Sequence, residues 1–568
     1  MTKKSKWVLK QPNPETAKKI GDELKLHPLC ANVLCNRGIE TTEQAERFLN
    51  PSVSALLDPF MLKDMEKGVN KIQDTIAHNQ KIVVYGDYDV DGITAVSIIY
   101  LYLKSKGANV SYYIPSRSDE GYGLNKDAVL SFKNEGVELI ITADCGITAF
   151  DDISYATSLG ISVVITDHHK CKEQLPPAYA IINPKRPDCP YPFKELSGVG
   201  VAFKLIEALE GGGKSKELLE QYGDLLCLGT IADIVTLTEE NRVFVSLGLK
   251  LLEDPQNLGL KSLIQEAGLS GKVMTSSHVG FIIAPRINAV GRLGNAVDAV
   301  KLFTTSDQKE AETLAKMLCA ENVRRQTIEQ EILLEACQII DKDKLHTTDR
   351  VIVLASESWH HGVIGIVASR ITEKYGKPCV LMAIDGDEAK GSCRGLQGFN
   401  MFEALSYCDD LLLKFGGHEL AAGLTVSKDN IDAFREKINN YAKENFNTKV
   451  YVEEITYEGK ITDKDINLEL TDMLESIQPC GMGNPMPQFL IEKVKIENLT
   501  YFGDEKHIRL RFSKKSFSIM VIGFGLGTNE SFRMLRDGDI VNAIVSPYTN
   551  EYRNKKYPAL KLKDIKLV

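Results

Sequence analysis

Three carboxylates stand at every second position in the stretch IVVYGDYDVDGITA, at Asp87, Asp89 and Asp91. If the backbone stays extended there, all three point to one side, about 6.6 Å apart at a rise of about 3.3 Å per residue. At an effective dielectric near 20, each adjacent pair repels by about 2.5 kcal/mol, so water must screen them or a cation must hold them. An EF-hand calcium loop opens with the same spacing. Here, however, its twelfth position is Ile98 where a bidentate glutamate is needed, and the preceding IVVYG is strand-like instead of helical. Two further apolar runs end in related groups: ELIITAD at Asp144, and ISVVITD at Asp167, with His168 and His169 next. Asp233 stands alone in LLCLGTIADIV, where an unpartnered carboxylate would be costly to bury. Hard oxygen ligands with imidazole and no thiolate suit Mg²⁺ or Mn²⁺, and six or so ligands suit two ions better than one. Such a pair can activate water and stabilise the oxygens of a phosphoryl displacement. Asp167 has a plainer reading as a cap of the next turn.

The elements that must position these groups follow from the pattern around them. From Lys81, short β-branched runs (KIVVYG, ELIITAD, ISVVITD, AYAIIN) alternate with helix-like segments, which predicts a doubly wound parallel sheet. Groups just beyond the carboxyl ends of such strands converge on one crevice, so Asp87, Asp89, Asp91, Asp144 and His168 should face one another. The fold class expected is α/β: two α/β lobes joined by a long helix, with a C-terminal β-barrel. Residues 1–65 read as a helical lead-in and 66–299 as the metal-binding lobe. Residues 300–345 read as a connector, one helix or two with a kink, 346–449 as a second lobe, and 450–568 as a barrel of short alternating strands.

At 568 residues, 43% hydrophobic and 26% charged, the composition is that of globular protein. The net charge of -9 excludes a generally basic coat, so any nucleic-acid site is local. One local excess exists: the last 68 residues hold 13 Lys or Arg against 7 Asp or Glu, a balance of +6. Aromatics are interleaved with that charge, as single-strand-binding barrels require. Alternation assigns Phe512 and Phe524 to the barrel core, and Tyr552 and Tyr557, flanking Arg553, Lys555 and Lys556, to strand contact. No run of about 18 apolar residues suggests a membrane span. The 12 scattered cysteines, with no C-x-x-C pair, suggest reduced thiols in a cytoplasmic protein.

The ordered series GDYDVDG, TAD, DHH and TIAD resembles the DHH phosphoesterase superfamily. The resemblance extends along the chain through PSRSDEGYGL, LSGVGVAFKL, APRINAVGRLG, SWHHGVIGIVASR, KGSCRG, FGGHELAAG and PCGMGNPMPQF, as in the superfamily's single-strand-specific exonucleases. It implies a DHHA1-type second lobe and an OB-type barrel. The implied ligands of two Mn²⁺ or Mg²⁺ ions are Asp87, Asp89, Asp91, Asp144, His168 and Asp233, with His169 beside the scissile phosphate. Arg117, Arg286, Asn288, Ser392 and Arg394 would hold the strand, with Gly417 and His418 lining the cleft. The implied activity is metal-dependent 5′-to-3′ hydrolysis of single-stranded DNA to mononucleotides, for DNA repair and recombination. A single-strand-binding protein and a RecQ-type helicase are the implied partners. Two rivals stand beside it: an oligoribonuclease or nucleotide phosphatase of the same superfamily, and a non-catalytic DNA-binding member. From the residues alone, GVG at 198–200 reads as close helix packing or a weak phosphate loop, Arg286 and Arg292 as substrate contacts or else surface ion-pair residues, and His360 and His361 as part of a solvated loop.

Overall fold

The strand Lys81–Gly86 is buried at all but its first residue, the pattern of a strand covered on both faces. In the computed structural model, which describes residues 5–117, 120, 121, 123–446, 453–515, 517–553 and 555–568, it lies second in a five-stranded parallel sheet. The spatial order is Val110–Tyr113, Lys81–Gly86, Val137–Ala143, Ser162–Thr166, Ala180–Ile182, with Ile82 opposite both Val110 and Leu139. The chain thus goes to one side after the first of these strands and to the other thereafter. The carboxyl ends of Lys81–Gly86 and Val137–Ala143 therefore flank the topological switch point.

Helices Val90–Ser105, Gly198–Leu209 and Ser215–Ala232 pack together over this sheet in one apolar core. Inside it lies a polar network around Lys204, which is fully buried. Its Nζ donates to Leu57 O (2.7 Å) and Glu207 (3.0 Å) and pairs with Glu240 (2.8 Å). Glu240 also accepts from Leu57 N and Tyr191 OH, which ties the lead-in to the lobe. Replacing Lys204 with methionine leaves two buried carboxylates uncompensated and should lower stability by about 3–5 kcal/mol. Urea unfolding would read that loss, and a change below about 1 kcal/mol would contradict the network's role.

The connector is one unbroken helix, Gln308–Lys342. It carries a mixed sheet ordered Leu412–Gly417, Ala421–Ser427, Glu388–Arg394, Cys379–Asp385, Ile352–Ser356, in which only the last pair is parallel. Five strands between Phe489 and Leu567 close into a barrel. Arg242, nearly fully buried, joins barrel approach and first lobe by donating to the carbonyls of Phe48 (2.7 Å) and Gln478 (2.8 Å).

Two details differ from the sequence reading. The lead-in opens with a strand, Ser5–Leu9, paired in parallel with Glu453–Tyr457. Trp7 Nε1 also donates to Asp564 (2.7 Å). A five-residue strand whose partner lies far along the chain leaves no periodic trace. Phe512 is core, but Phe524 is 58% exposed, because it follows the strand end at Gly523, where alternation lapses. Tyr557 is exposed, whereas the side chain of Tyr552 lies outside the described residues. All 12 cysteines are free thiols, and among the described residues no helix is long and apolar enough to cross a membrane.

Candidate active site

Asp87 follows the strand Lys81–Gly86 directly, and Asp89 caps the next helix by accepting from Gly92 N (3.1 Å). Asp91, in the first turn of that helix, accepts from Gly198 N (2.6 Å) and Val199 N (2.8 Å), the amino end of Gly198–Leu209. Asp144 follows Val137–Ala143 in the left-handed region at φ 61°. A Cβ on Gly198 would stand 2.4 Å from Asp144 Oδ1, so the glycine lets helix and carboxylate meet. GVG is therefore close helix packing. Asp233 is the carboxyl-end cap of Ser215–Ala232.

These groups converge. His168 Nε2 lies 3.1 Å from Asp144 Oδ1, 3.5 Å from Asp233 Oδ2 and 3.9 Å from Asp91 Oδ2. Ligand atoms of Asp87, Asp89 and Asp144 lie within 4.8 Å of one another, as do those of Asp91, His168 and Asp233. Asp144 Oδ1, Asp233 Oδ2 and both His168 nitrogens are buried without a hydrogen-bond partner among the described residues. Orphaned atoms in this number signal a missing occupant. Burial, and then the neighbouring carboxylates, push Asp87 and Asp233 up to about 7, Asp91 up to about 8, and Asp144 well above the usual range. Burial keeps His168 neutral, with a lone pair to give. Divalent cations would satisfy every one of these groups, so the donor set fits two Mn²⁺ or Mg²⁺ ions.

The raised carboxylates make a pH prediction with a definite sign. Their native pKa values exceed the unfolded ones, so the metal-free fold is favoured below about pH 4 and loses that contribution as pH rises through about 8. Protons compete with cations for the same oxygens. The rise in Tm produced by Mn²⁺ should therefore be larger at pH 8 than at pH 6, and equal rises would contradict the assignment.

Asp167 does not join the cluster as a ligand. It accepts from the backbone N–H of Ile147 (2.9 Å), His168 (2.7 Å) and His169 (3.0 Å), and from His169 Nδ1 (2.7 Å). Burial lowers the pKa of His169, but the bond to Asp167 and the surrounding carboxylates outweigh it and raise the ring to about 9. In the metal-free cluster this favours the protonated ring of His169.

Across from the cluster, a cavity of about 430 Å³ is lined by Arg117, Arg292, His361, Lys390, Ser392, Arg394 and Gly417, among others. Arg394 is held by Ser369 Oγ (3.0 Å) and Ser392 Oγ (3.1 Å). Burial, then Arg117, Arg325 and Arg394, depress Arg292 to about 10. Arg117, Arg292 and Arg394 form no carboxylate ion pair among the described residues. They form a pocket built for an anion. Arg117 lies 5.2 Å over the Tyr88 ring, between Asp87 and Asp89, which places pocket and cluster side by side.

The other expected contacts lie elsewhere. Arg286 donates to Ile282 O in the turn just before its helix and sits beside Cys319, outside the cavity lining. Asn288, on the same helix, is half-buried and also off the lining, and His418 is exposed with its N–H bonded to Ala421 O. Six residues separate Arg286 from Arg292, about 120° around a helix, so they cannot share a face. Arg292 faces the second lobe and donates to Gly362 O (3.2 Å). Lys390 was legible by strand alternation, which puts 390, 392 and 394 on one face. His360 caps the helix His361–Tyr375, and His361 lines the cavity.

Three family models match: the DHH family N-terminal domain over residues 81–230, the DHHA1 domain over 348–444 and the RecJ OB domain over 457–564. The chain is 38% identical over 99% of its length to the single-stranded-DNA-specific exonuclease RecJ of Bacillus subtilis, covering 71% of that protein. It is 34% identical to the Escherichia coli RecJ over 82% of its length and 83% of the relative's. The Mn²⁺ complex of Thermus thermophilus RecJ superposes with a TM-score of 0.84 at 29% identity, covering 100% of this chain and 80% of that one. A Mg²⁺ complex of the same protein superposes at 0.77. A cluster of orphaned carboxylates and imidazole at the switch point of a DHH sheet, the facing arginine pocket, the closed barrel and this full-length identity together place the chain in the RecJ family.

Proposed function

We propose that this protein is a metal-dependent exonuclease that removes mononucleotides 5′ to 3′ from single-stranded DNA in repair and recombination. The observation that carries the reading is the juxtaposition of the orphaned carboxylate–imidazole cluster with an arginine pocket that has no carboxylate ion pair among the described residues. Asp87, Asp89, Asp91, Asp144, His168 and Asp233 hold two divalent cations. When bound, these supply an activated water and charge stabilisation at phosphorus. Asp167 fixes His169 through Nδ1, which leaves the Nε2 proton for the scissile phosphate or its leaving oxygen. Arg394, Arg292, Arg117 and Ser392 receive the terminal phosphate, and a guanidinium can engage two of its oxygens at once. Holding that phosphate at a fixed distance from the cluster sets the bond to be cut one nucleotide in. Residues 66–299 thus supply chemistry, 346–449 the end-recognition pocket and 450–568 a grip on the trailing strand.

The family resemblance supports a single-strand-binding protein and a RecQ-type helicase as partners, and the free thiols support a cytoplasmic setting. The test is digestion of 5′-phosphorylated single-stranded and duplex oligonucleotides with Mn²⁺ or with EDTA. Metal-dependent release of mononucleotides from the single strand alone is expected. Cleavage of dinucleotides or nucleotide phosphates with long strands left intact would transfer the site to a small-substrate enzyme.

A further inference from the structure

Directly after the ligand Asp233, Ile234 sits in the left-handed backbone region at φ 62° with 66% of its surface exposed. Both choices are unfavourable for a β-branched apolar residue, and such strain persists where function holds it. Two other segments bring similar residues to the same edge of the lobe. The single π-helical turn Val279–Ile283 packs against the end of Ser215–Ala232, where a Cβ on Gly280 would lie 3.9 Å from Ile231, and it leaves Phe281 83% exposed. Isolated π-turns of this kind recur at functional sites. The loop ahead of the barrel strand Phe489–Phe502 is tied in by Leu237 N to Met482 O (2.8 Å) and by Ser276 Oγ to Cys480 O (2.6 Å). It presents Met482 and Met486, 55% and 37% exposed.

We infer that Ile234, Phe281, Met482 and Met486 form an apolar rim on which unpaired bases of the strand dock between the metal cluster and the barrel. The inference deepens the exonuclease reading and rests on it. The occupant follows from continuity: one end of the rim adjoins Asp233, and the other runs through Met486 into the barrel. A ring, a branched aliphatic chain and two thioethers offer faces and no hydrogen-bonding groups, so they grip bases without reading sequence. In a duplex the base faces are already covered by stacking, and the rim has nothing to hold. It would therefore add to single-strand selectivity beyond steric exclusion.

The test uses the full chain and a twelve-nucleotide DNA strand carrying 2-aminopurine at successive positions, first in EDTA for binding and then with Mn²⁺ for cleavage. The Phe281→Ala, Met482→Ala double variant should weaken binding and raise KM about ten-fold. It should also abolish the 2-aminopurine response at the docked positions and leave kcat at saturating strand within about two-fold. Phe281→Tyr should restore the response, because the ring is kept. Unchanged binding and an unchanged fluorescence response in the double variant would overturn the inference and leave the rim to a protein partner, and so would a wild type that binds no strand. A wild type that binds through Phe281 yet cuts nothing would leave the rim standing and defeat the exonuclease reading alone.

Discussion

Asp144→Asn is expected to lower kcat for strand cleavage by at least about 10³-fold, the loss of about 4 kcal/mol of charge stabilisation at phosphorus. Asparagine is the informative replacement because Asp144 has φ 61°, which asparagine tolerates and alanine does not. The variant should still bind single-stranded DNA, since the arginine pocket and barrel are untouched. Its metal-free Tm should rise, because one of the buried, mutually repelling carboxylates has become neutral. The gain in Tm on adding Mn²⁺ should shrink. A variant that loses cleavage together with metal-free stability would point to a collapsed fold instead of a vacated ligand position.

The second large effect is expected at the pocket. Arg394→Met should reduce kcat/KM on 5′-phosphorylated strands about 10²-fold, for the loss of about 3 kcal/mol from a desolvated charged hydrogen bond. Burial already lowers the Arg394 pKa, and its guanidinium is steadied by Ser369 and Ser392, so it is pre-organised to receive an anion. The diagnostic is the ratio of rates on 5′-phosphate and 5′-hydroxyl strands. Wild type should favour the phosphate, and the variant should favour neither. A uniform loss on both ends would make Arg394 a general backbone contact and move end recognition elsewhere. Point variants are the sharper tools here. Deleting residues 450–568 would remove Gln478 O, one of the carbonyl acceptors of buried Arg242, and the strand partner of Ser5–Leu9.

Much of the candidate site was legible because its groups sit at strand ends, where a parallel sheet leaves them little freedom of placement. Asp87 and Asp144 follow adjacent strands, so alternation of apolar runs with helices already aims them at one crevice. Asp91 and Asp233 were harder, since each depends on helix packing that no local pattern states. The glycine at 198 that admits Asp144 looks in sequence like any small residue on a helix. Asp167 reads as a strand-end aspartate like its neighbours, and only its four hydrogen bonds reveal that it organises the loop and His169. The arginine pocket was less legible. Arg286 and Arg292 share a motif but not a helix face, and which face meets the cleft is set by how the two lobes dock. The exposed Phe281, Ile234 and Met482 lie on three segments that only tertiary structure assembles, so their spacing in the chain carries no signal.

A metal cluster beside an anion pocket is expected to cut a single strand from its phosphorylated end. Digestion of strands labelled at the 5′ or the 3′ end, with Mn²⁺ or EDTA, tests it most directly. Immediate metal-dependent release of the 5′ label as mononucleotide is expected, while the 3′ label stays on a shortening ladder. Release of the 3′ label first, internal cuts, or undiminished digestion in EDTA would contradict it.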